Sequence, residues 1–223
     1  MECPRCFYID RRLGVDRPPG FPFTINNTVD SRLKNEFDKY RLIGNPHPLM
    51  KENNVDAIPA NHPKINEWRE NFKGIKHYHE KTNITITGAI DDLWINSKKE
   101  LIIVDYKATS NKESIYELNN TWHNAYRRQM DIYQWLLIQN ENTVSEISYF
   151  LYCNAKKEDI DFNNTLNFEM TLIPYKADPS WIENKIYDIK NCLDSSNIPE
   201  ASMKCDYCKY IQSYNSEISE FDF

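Results

Sequence analysis

The sequence predicts an α/β or α+β domain with a central mixed β-sheet flanked by helices. Three observations carry that expectation. The periodic segments run helix, hairpin, helix, two strands, helix, an order that lays helices on a sheet. The run Leu101-Ile102-Ile103-Val104 is continuously apolar, as in a strand covered on both faces. A chain of 223 residues, 40% of them hydrophobic, can also build one core without disulfides.

The elements follow in order. Residues 17–23, Arg-Pro-Pro-Gly-Phe-Pro-Phe, punctuate the chain in extended form. Val29, Leu33, Phe37 and Tyr40 recur at helical spacing and predict a helix over about 27–42 with that stripe facing a core. Residues 44–63 contain Gly44, Pro46, Pro48, Pro59 and Pro63 and read as a loop, followed by a short helix around Trp68 and Phe72. Thr82, Ile84, Ile86, Ile90 and Leu93 predict one strand over about 82–95. Asn96 to Glu100 is a polar hairpin turn, and Leu101 to Lys107 is the next strand. A helix over about 120–139 carries Trp122, Tyr126, Tyr133, Leu136 and Leu137. Strands at Ile147–Cys153 and Leu166–Ile173 follow. A last long helix starts at Asp178-Pro179, an N-cap with proline in the first turn.

A net charge of −6, from 27 basic and 33 acidic residues, argues against a protein that coats nucleic acid by bulk charge. It leaves room for a local basic groove, and Arg5, Arg11, Arg12, Arg17, Arg127 and Arg128 are candidate phosphate contacts. No apolar run has the length of a membrane span, and residues 1–16 are charged throughout, without the apolar core of a signal peptide. The expectation is a cytoplasmic chain without membrane association. Disulfides are rare in that compartment, so the six cysteines need another explanation.

Chemistry concentrates between Gly88 and Lys107. Asp105 ends an apolar strand, where a buried carboxylate calls for a partner or a metal. Asp105 and Lys107 are two apart and project from one face. Asp91 and Asp105 each lie seven residues from Lys98, so a hairpin turning there sets them opposite one another. Two carboxylates, with waters and a phosphate oxygen, suit Mg²⁺ or Mn²⁺. Lys107 would orient or deprotonate the attacking water. Gly88 would let another backbone approach the strand. From spacing alone, a structural ion pair at a strand end accounts for these three residues equally well.

Gly88-x-x-Asp91, then Asp105-Tyr-Lys107, then Gln129-x-x-x-Tyr133 resembles the PD-(D/E)xK nuclease superfamily in its RecB-like branch. The resemblance implies a restriction-endonuclease-like core and metal-dependent hydrolysis of DNA at ends or in single strands, with an exonuclease favoured. It implies that Gln129 and Tyr133 help organise the site and contact substrate. It also implies a further ligand from an upstream helix, usually His or Glu. Here Asp30 sits where the His often falls, and Glu36 is the alternative. No helicase motif is present, so a motor, or a repair or CRISPR component, would be a separate protein partner.

Cys3-Pro-Arg-Cys6 and Cys205-Asp-Tyr-Cys208 are two chelating pairs, which predict one four-cysteine metal site joining the chain ends. The expected organisation is a single domain over 1–223, with residues 1–16 and 200–212 forming the metal-binding annex. Ligand number admits both zinc and a [4Fe–4S] cluster. Cys3-Pro4-Arg5-x-Phe7-Tyr8-Ile9 resembles the opening of the iron–sulfur nucleases related to the CRISPR adaptation exonuclease and to AddB, which implies the cluster. Those families place one cysteine before the core and three after it, whereas this chain has two and two. Cys153 and Cys192 read as small buried hydrophobes. His77 and His79 read as solvated strand-end residues, and His47 and His62 as turn residues. A non-catalytic nucleic-acid-binding or assembly subunit with a structural metal knot would also explain the net acidity and the missing His. Retention of Asp91, Asp105 and Lys107 favours the enzyme.

Overall fold

The computed structural model describes residues 2–20, 24–157, 161 and 163–218. In chain order the elements are α1 (Pro4–Leu13), α2 (Thr24–Ile43), α3 (Pro48–Glu52), β1 (Ile58–Pro59), α4 (Ile65–Trp68), β2 (Ile75–His79), β3 (Ile84–Gly88), β4 (Asp92–Ile95), β5 (Leu101–Thr109), α5 (Asn124–Gln139), β6 (Ile147–Ala155), β7 (Phe168–Lys176), α6 (Ile182–Asp194) and α7 (Asp206–Ile218). The chain divides into two compact units, Pro22–Ile182 on one hand and Met1–Phe21 with Glu183–Phe223 on the other. The end of the expected extended segment, residues 21–23, lies outside the described residues.

The larger unit is built on a five-stranded mixed sheet in the order β1-β4-β5-β6-β7. Of its strand pairs, β5–β6 is parallel and the others are antiparallel. Helix α5 makes that crossover, as a parallel pair requires. The sheet takes its central strand from the apolar run Leu101–Val104, all of it buried. Alternation along β5 then sorts its side chains. Ile102, Val104 and Tyr106 join Leu33 and Phe37 of α2 in one buried cluster with Trp94, Leu151 and Cys153. Asp105 and Lys107 belong to the opposite register. The helical stripe predicted for α2 is present, with Leu33 and Phe37 buried and Val29 and Tyr40 half-buried.

Several local expectations are corrected. The strand expected over 82–95 is two strands in two sheets, because β3 pairs only with β2 in a separate hairpin. Between them the Ile90 amide donates to the Trp68 carbonyl, and the chain leaves one sheet for the other. The proline-rich stretch 44–63 is not all loop. His47 caps α3 by accepting from the Leu49 amide, and Pro48 occupies the first helical turn, where it costs no hydrogen bond. Pro59 sits in the edge strand β1, where a missing N–H is tolerated. Phe72 is fully exposed and takes no part in α4. His79 is buried and paired with the Thr82 hydroxyl, and His77 packs edge-on against Trp135, so these two belong to strand β2 and are not solvated ends. The helix expected from Asp178 is α6, preceded by a 3₁₀ turn at Pro179–Trp181 that Asp178 caps.

The smaller unit contains α1, most of α6, and α7. Helices α1 and α7 are absent from the expected order, although α1 carries both helix signals, Pro4 in the first turn and Gly14 in the left-handed conformation at its end (φ 72°). No described helix is long and apolar enough to cross a membrane.

Candidate active site and metal centre

Strand β4 pairs with β5 so that Asp92 faces Val104 and Ile95 faces Leu101. Continued by one place, that register sets Asp91 opposite Asp105. The Tyr106 amide donates to Asp91 Oδ2 at 2.8 Å, which fixes the Asp91 carboxylate at the end of the ladder. From α2, Lys34 Nζ donates to Asp30 Oδ2 at 2.8 Å and lies 3.6 Å from Asp91 Oδ1. Lys107 Nζ forms an ion pair with Asp105. A cleft of about 500 Å³ is lined in part by Asp30, Lys34, Asp91, Lys107 and Tyr126, and Asp105 is buried behind Lys107.

The electrostatics are those of crowded acids. Burial, then the neighbouring Asp105 charge, push the Asp91 carboxyl up to about 7 against the pull of Lys34. Burial raises Asp105 as well, with Lys107 opposing it. Asp30 Oδ1 is buried without a hydrogen-bond partner. A buried carboxylate oxygen left over beside two other acids is the donor set of a hard cation, so the residues fit Mg²⁺ or Mn²⁺. The three carboxylates are not drawn together as closely as the cysteines: among the described residues only Cys3, Cys6, Cys205 and Cys208 bring their ligand atoms all within 4.8 Å. Glu36 is elsewhere, its Oε1 2.8 Å from His47 Nε2. Asp30 is therefore the upstream acid at the cleft.

Helix α5 completes the site. Lys107 Nζ donates to Gln129 Oε1 at 3.1 Å, and Gln129 Nε2 donates to the Tyr133 hydroxyl oxygen at 2.7 Å. Spacing of four on one helix places the amide and the phenol on one face. The Lys107 ammonium also lies 4.3 Å from the Tyr126 ring centre. Gly88 admits this helix, since a Cβ there would fall 2.8 Å from Tyr133 Cε1. A side chain thus takes the space of a Cβ, and a backbone also comes close, as the sequence led us to expect: a Cβ on Gly74 would fall 2.5 Å from the Gly88 carbonyl oxygen.

Beneath the site is a set of residues that motif reasoning missed. Asp92, fully buried, accepts from Arg69 Nη2 at 2.6 Å, from the Tyr106 hydroxyl at 2.7 Å and from Arg41. Arg69 Nη1 donates to both oxygens of Asp38, at 2.9 and 3.0 Å, and its Nε to the Asp91 carbonyl at 3.0 Å. The only sequence signal was that Asp91 is followed by a second acid. Lys34 was also missed, although it stands one helical turn after Asp30. Arg127 is bound to the Leu118 carbonyl and to Asn124, and Arg5 to the Pro199 carbonyl at 3.0 Å.

In the smaller unit the two cysteine pairs occupy equivalent positions on two helices. Cys3 and Cys205 stand immediately before α1 and α7, and Cys6 and Cys208 are each in the first turn. The Phe7 amide bonds the Cys3 carbonyl and the Lys209 amide the Cys205 carbonyl, both at 3.0 Å. Sulfur–sulfur distances are 3.7 Å for Cys3–Cys208, 3.5 Å for Cys6–Cys205 and 3.4 Å for Cys6–Cys208. Burial works to raise Cys3, but hydrogen bonds from the Cys6 and Ser202 amides and neighbouring thiols outweigh it and hold it down at about 6. The four residues can hold a metal. Cys153 is buried in the core cluster, while Cys192 is half-buried, 3.9 Å from the Pro4 carbonyl.

The family model for the PD-(D/E)XK nuclease superfamily matches residues 24–213. No curated protein matches the chain.

Proposed function

This chain belongs to the PD-(D/E)XK nuclease superfamily, and on that premise we propose that it is a Mg²⁺- or Mn²⁺-dependent nuclease that hydrolyses phosphodiester bonds of DNA at ends or in single strands. The observation that carries the reading is the meeting of Asp91 and Lys107 at one cleft with Asp105 paired to Lys107, both acids being raised by burial. Asp91, Asp105 and Asp30 would hold the cation. When bound, such an ion offsets phosphate charge and makes water more acidic. Lys107 orients the attacking water. Gln129, itself held by Tyr133, fixes the direction of the Lys107 ammonium. Lys34 offers a second positive charge to the phosphate.

Aromatic rings beside the cleft support a single-stranded or frayed substrate. Trp122, 49% exposed, stands edge-on to Tyr126 with ring centres 5.7 Å apart, and Tyr126 is the ring under Lys107. Unpaired bases can stack on such rings whatever their sequence. The test is cleavage of end-labelled single- and double-stranded DNA with Mg²⁺ or Mn²⁺, by the native protein and by Asp105→Ala. Cleavage by the native protein alone, faster on single strands, is expected. DNA binding without cleavage under every metal condition would overturn the enzyme in favour of a binding subunit.

A further inference from the structure

The iron–sulfur cluster implied by the sequence resemblance is at odds with the spacing of the thiols. We infer that Cys3, Cys6, Cys205 and Cys208 hold a single tetrahedral Zn²⁺. This is independent of the nuclease reading. Four thiolates at ~2.3 Å from one zinc ion lie ~3.8 Å from one another at the corners of a tetrahedron. Three of the separations are 3.4, 3.5 and 3.7 Å, and all four sulfurs are within 4.8 Å of each other. In a [4Fe–4S] cube each thiolate binds a different iron and points away from the centre, which carries the sulfurs to roughly 6 Å apart. The sulfurs here are all within 4.8 Å of one another, closer than the eight-atom cube would hold them.

The surroundings fit that ion. Four thiolates around Zn²⁺ leave two negative charges. Both helices present their amide ends to the sulfurs, where partial positive charge offsets them. The Ser202 amide donates to Cys3 Sγ at 3.4 Å, and Arg17 Nη2 approaches Cys205 Sγ at 4.0 Å. Arg17 is steadied over the Tyr207 ring, 4.6 Å from its centre. Such outer partners orient thiolates and tune their hold on the metal. Zinc is favoured over ferrous iron at an all-thiolate tetrahedral site by the general order of divalent affinities.

The experiment purifies the full chain, without oxygen, from cells grown with added iron and zinc. Metal and inorganic sulfide are then measured. The expected result is a colourless protein with about one zinc per chain and no sulfide. Exchange for Co²⁺ should give the intense visible bands of a tetrahedral thiolate site. Cys205→Ser should weaken zinc binding at least about tenfold, while Cys153→Ser and Cys192→Ser keep the full complement. The native cobalt spectrum decides even if Cys205→Ser fails to fold. A brown protein with four irons and four sulfides per chain overturns the inference, and so does a protein that takes up neither zinc nor cobalt. DNA cleavage enters none of these readings, so this inference and the nuclease reading fail separately.

Discussion

The Lys107 ammonium donates to Gln129 Oε1 at 3.1 Å, and through that bond strand β5 and helix α5 share one polar chain that ends at Tyr133. Asp105 pairs with the ammonium and the Tyr126 ring lies beneath it. A lysine side chain has several rotamers of similar energy, and these contacts select one. Lys107 is thus presented to the cleft by its neighbours, while Asp91 is held separately, by the Tyr106 amide.

Removal of Lys107 should therefore separate chemistry from metal binding. Lys107→Ala is expected to keep the thermal shift produced by Mn²⁺ and to lose at least about a hundredfold in cleavage rate. Gln129→Ala should lower kcat about tenfold with little change in KM, because it loosens the ammonium and leaves the charges in place. Loss of the Mn²⁺ shift in Lys107→Ala would assign the lysine a coordinating role instead.

Gly88 tests the packing that brings α5 to the site. A methyl group there would stand 2.8 Å from the Tyr133 ring and 3.2 Å from Leu136 Cδ1, inside van der Waals contact with a buried helix face. Gly88→Ala should destabilise the fold by about 1–3 kcal/mol, the range of overpacked cores. It should also lower cleavage, since the Tyr133 hydroxyl can no longer meet Gln129 as it does. Denaturant unfolding with a parallel assay measures both. An unchanged midpoint would show that the ring has room to yield.

Much of this site is legible in the sequence because its parts are short-range. A tight polar turn makes the β4–β5 register an arithmetic matter of distance from Lys98, and period 2 puts Asp105 and Lys107 on one face. Spacing of four does the same for Gln129 and Tyr133. The break at Ala89-Ile90 was not legible. Its β-forming residues continue unbroken, and what divides the strand is a tertiary hydrogen bond to the Trp68 carbonyl. Helix α3 was hidden in a proline-rich stretch, although its own Pro48 starts the helix. The number of cysteines predicts a metal but not which one, because zinc and the cube use the same four ligands. The distances between the sulfurs, on which the zinc proposal rests, come from the fold and are not legible in the spacing.

Asp92 should prove structural, in contrast to its neighbour Asp91. It is fully buried and compensates two arginines, Arg41 and Arg69, while accepting from Tyr106. Asp92→Ala leaves both guanidinium groups without that partner in the interior, which typically costs about 3–5 kcal/mol. Urea unfolding should show a matching fall in midpoint. Asp91→Ala should be tolerated far better in folding and abolish cleavage. Equal stability of the two variants would refute the division of labour between adjacent acids.

The raised carboxyl of Asp91 gives the metal-free protein a definite pH response. Its folded value of about 7 lies above the ~3.9 of an unfolded aspartate. The folded chain thus retains a proton that the unfolded chain has released. The sign follows: this contribution to stability is complete below pH ~4 and is lost as pH rises through about 7. A divalent cation requires the ionised form, so below about 7 it must displace that proton and above about 7 it need not. The rise in melting temperature produced by a fixed Mn²⁺ concentration should therefore be small at pH 6 and large at pH 8. Asp91→Asn, which carries no titrating proton, should flatten the metal-free dependence over this range and remove most of the Mn²⁺ effect. Thermal melts with and without Mn²⁺ at the two pH values measure it. An Mn²⁺ shift of the same size at pH 6 and 8 would show that Asp91 is already ionised at the lower pH and that burial does not govern its charge.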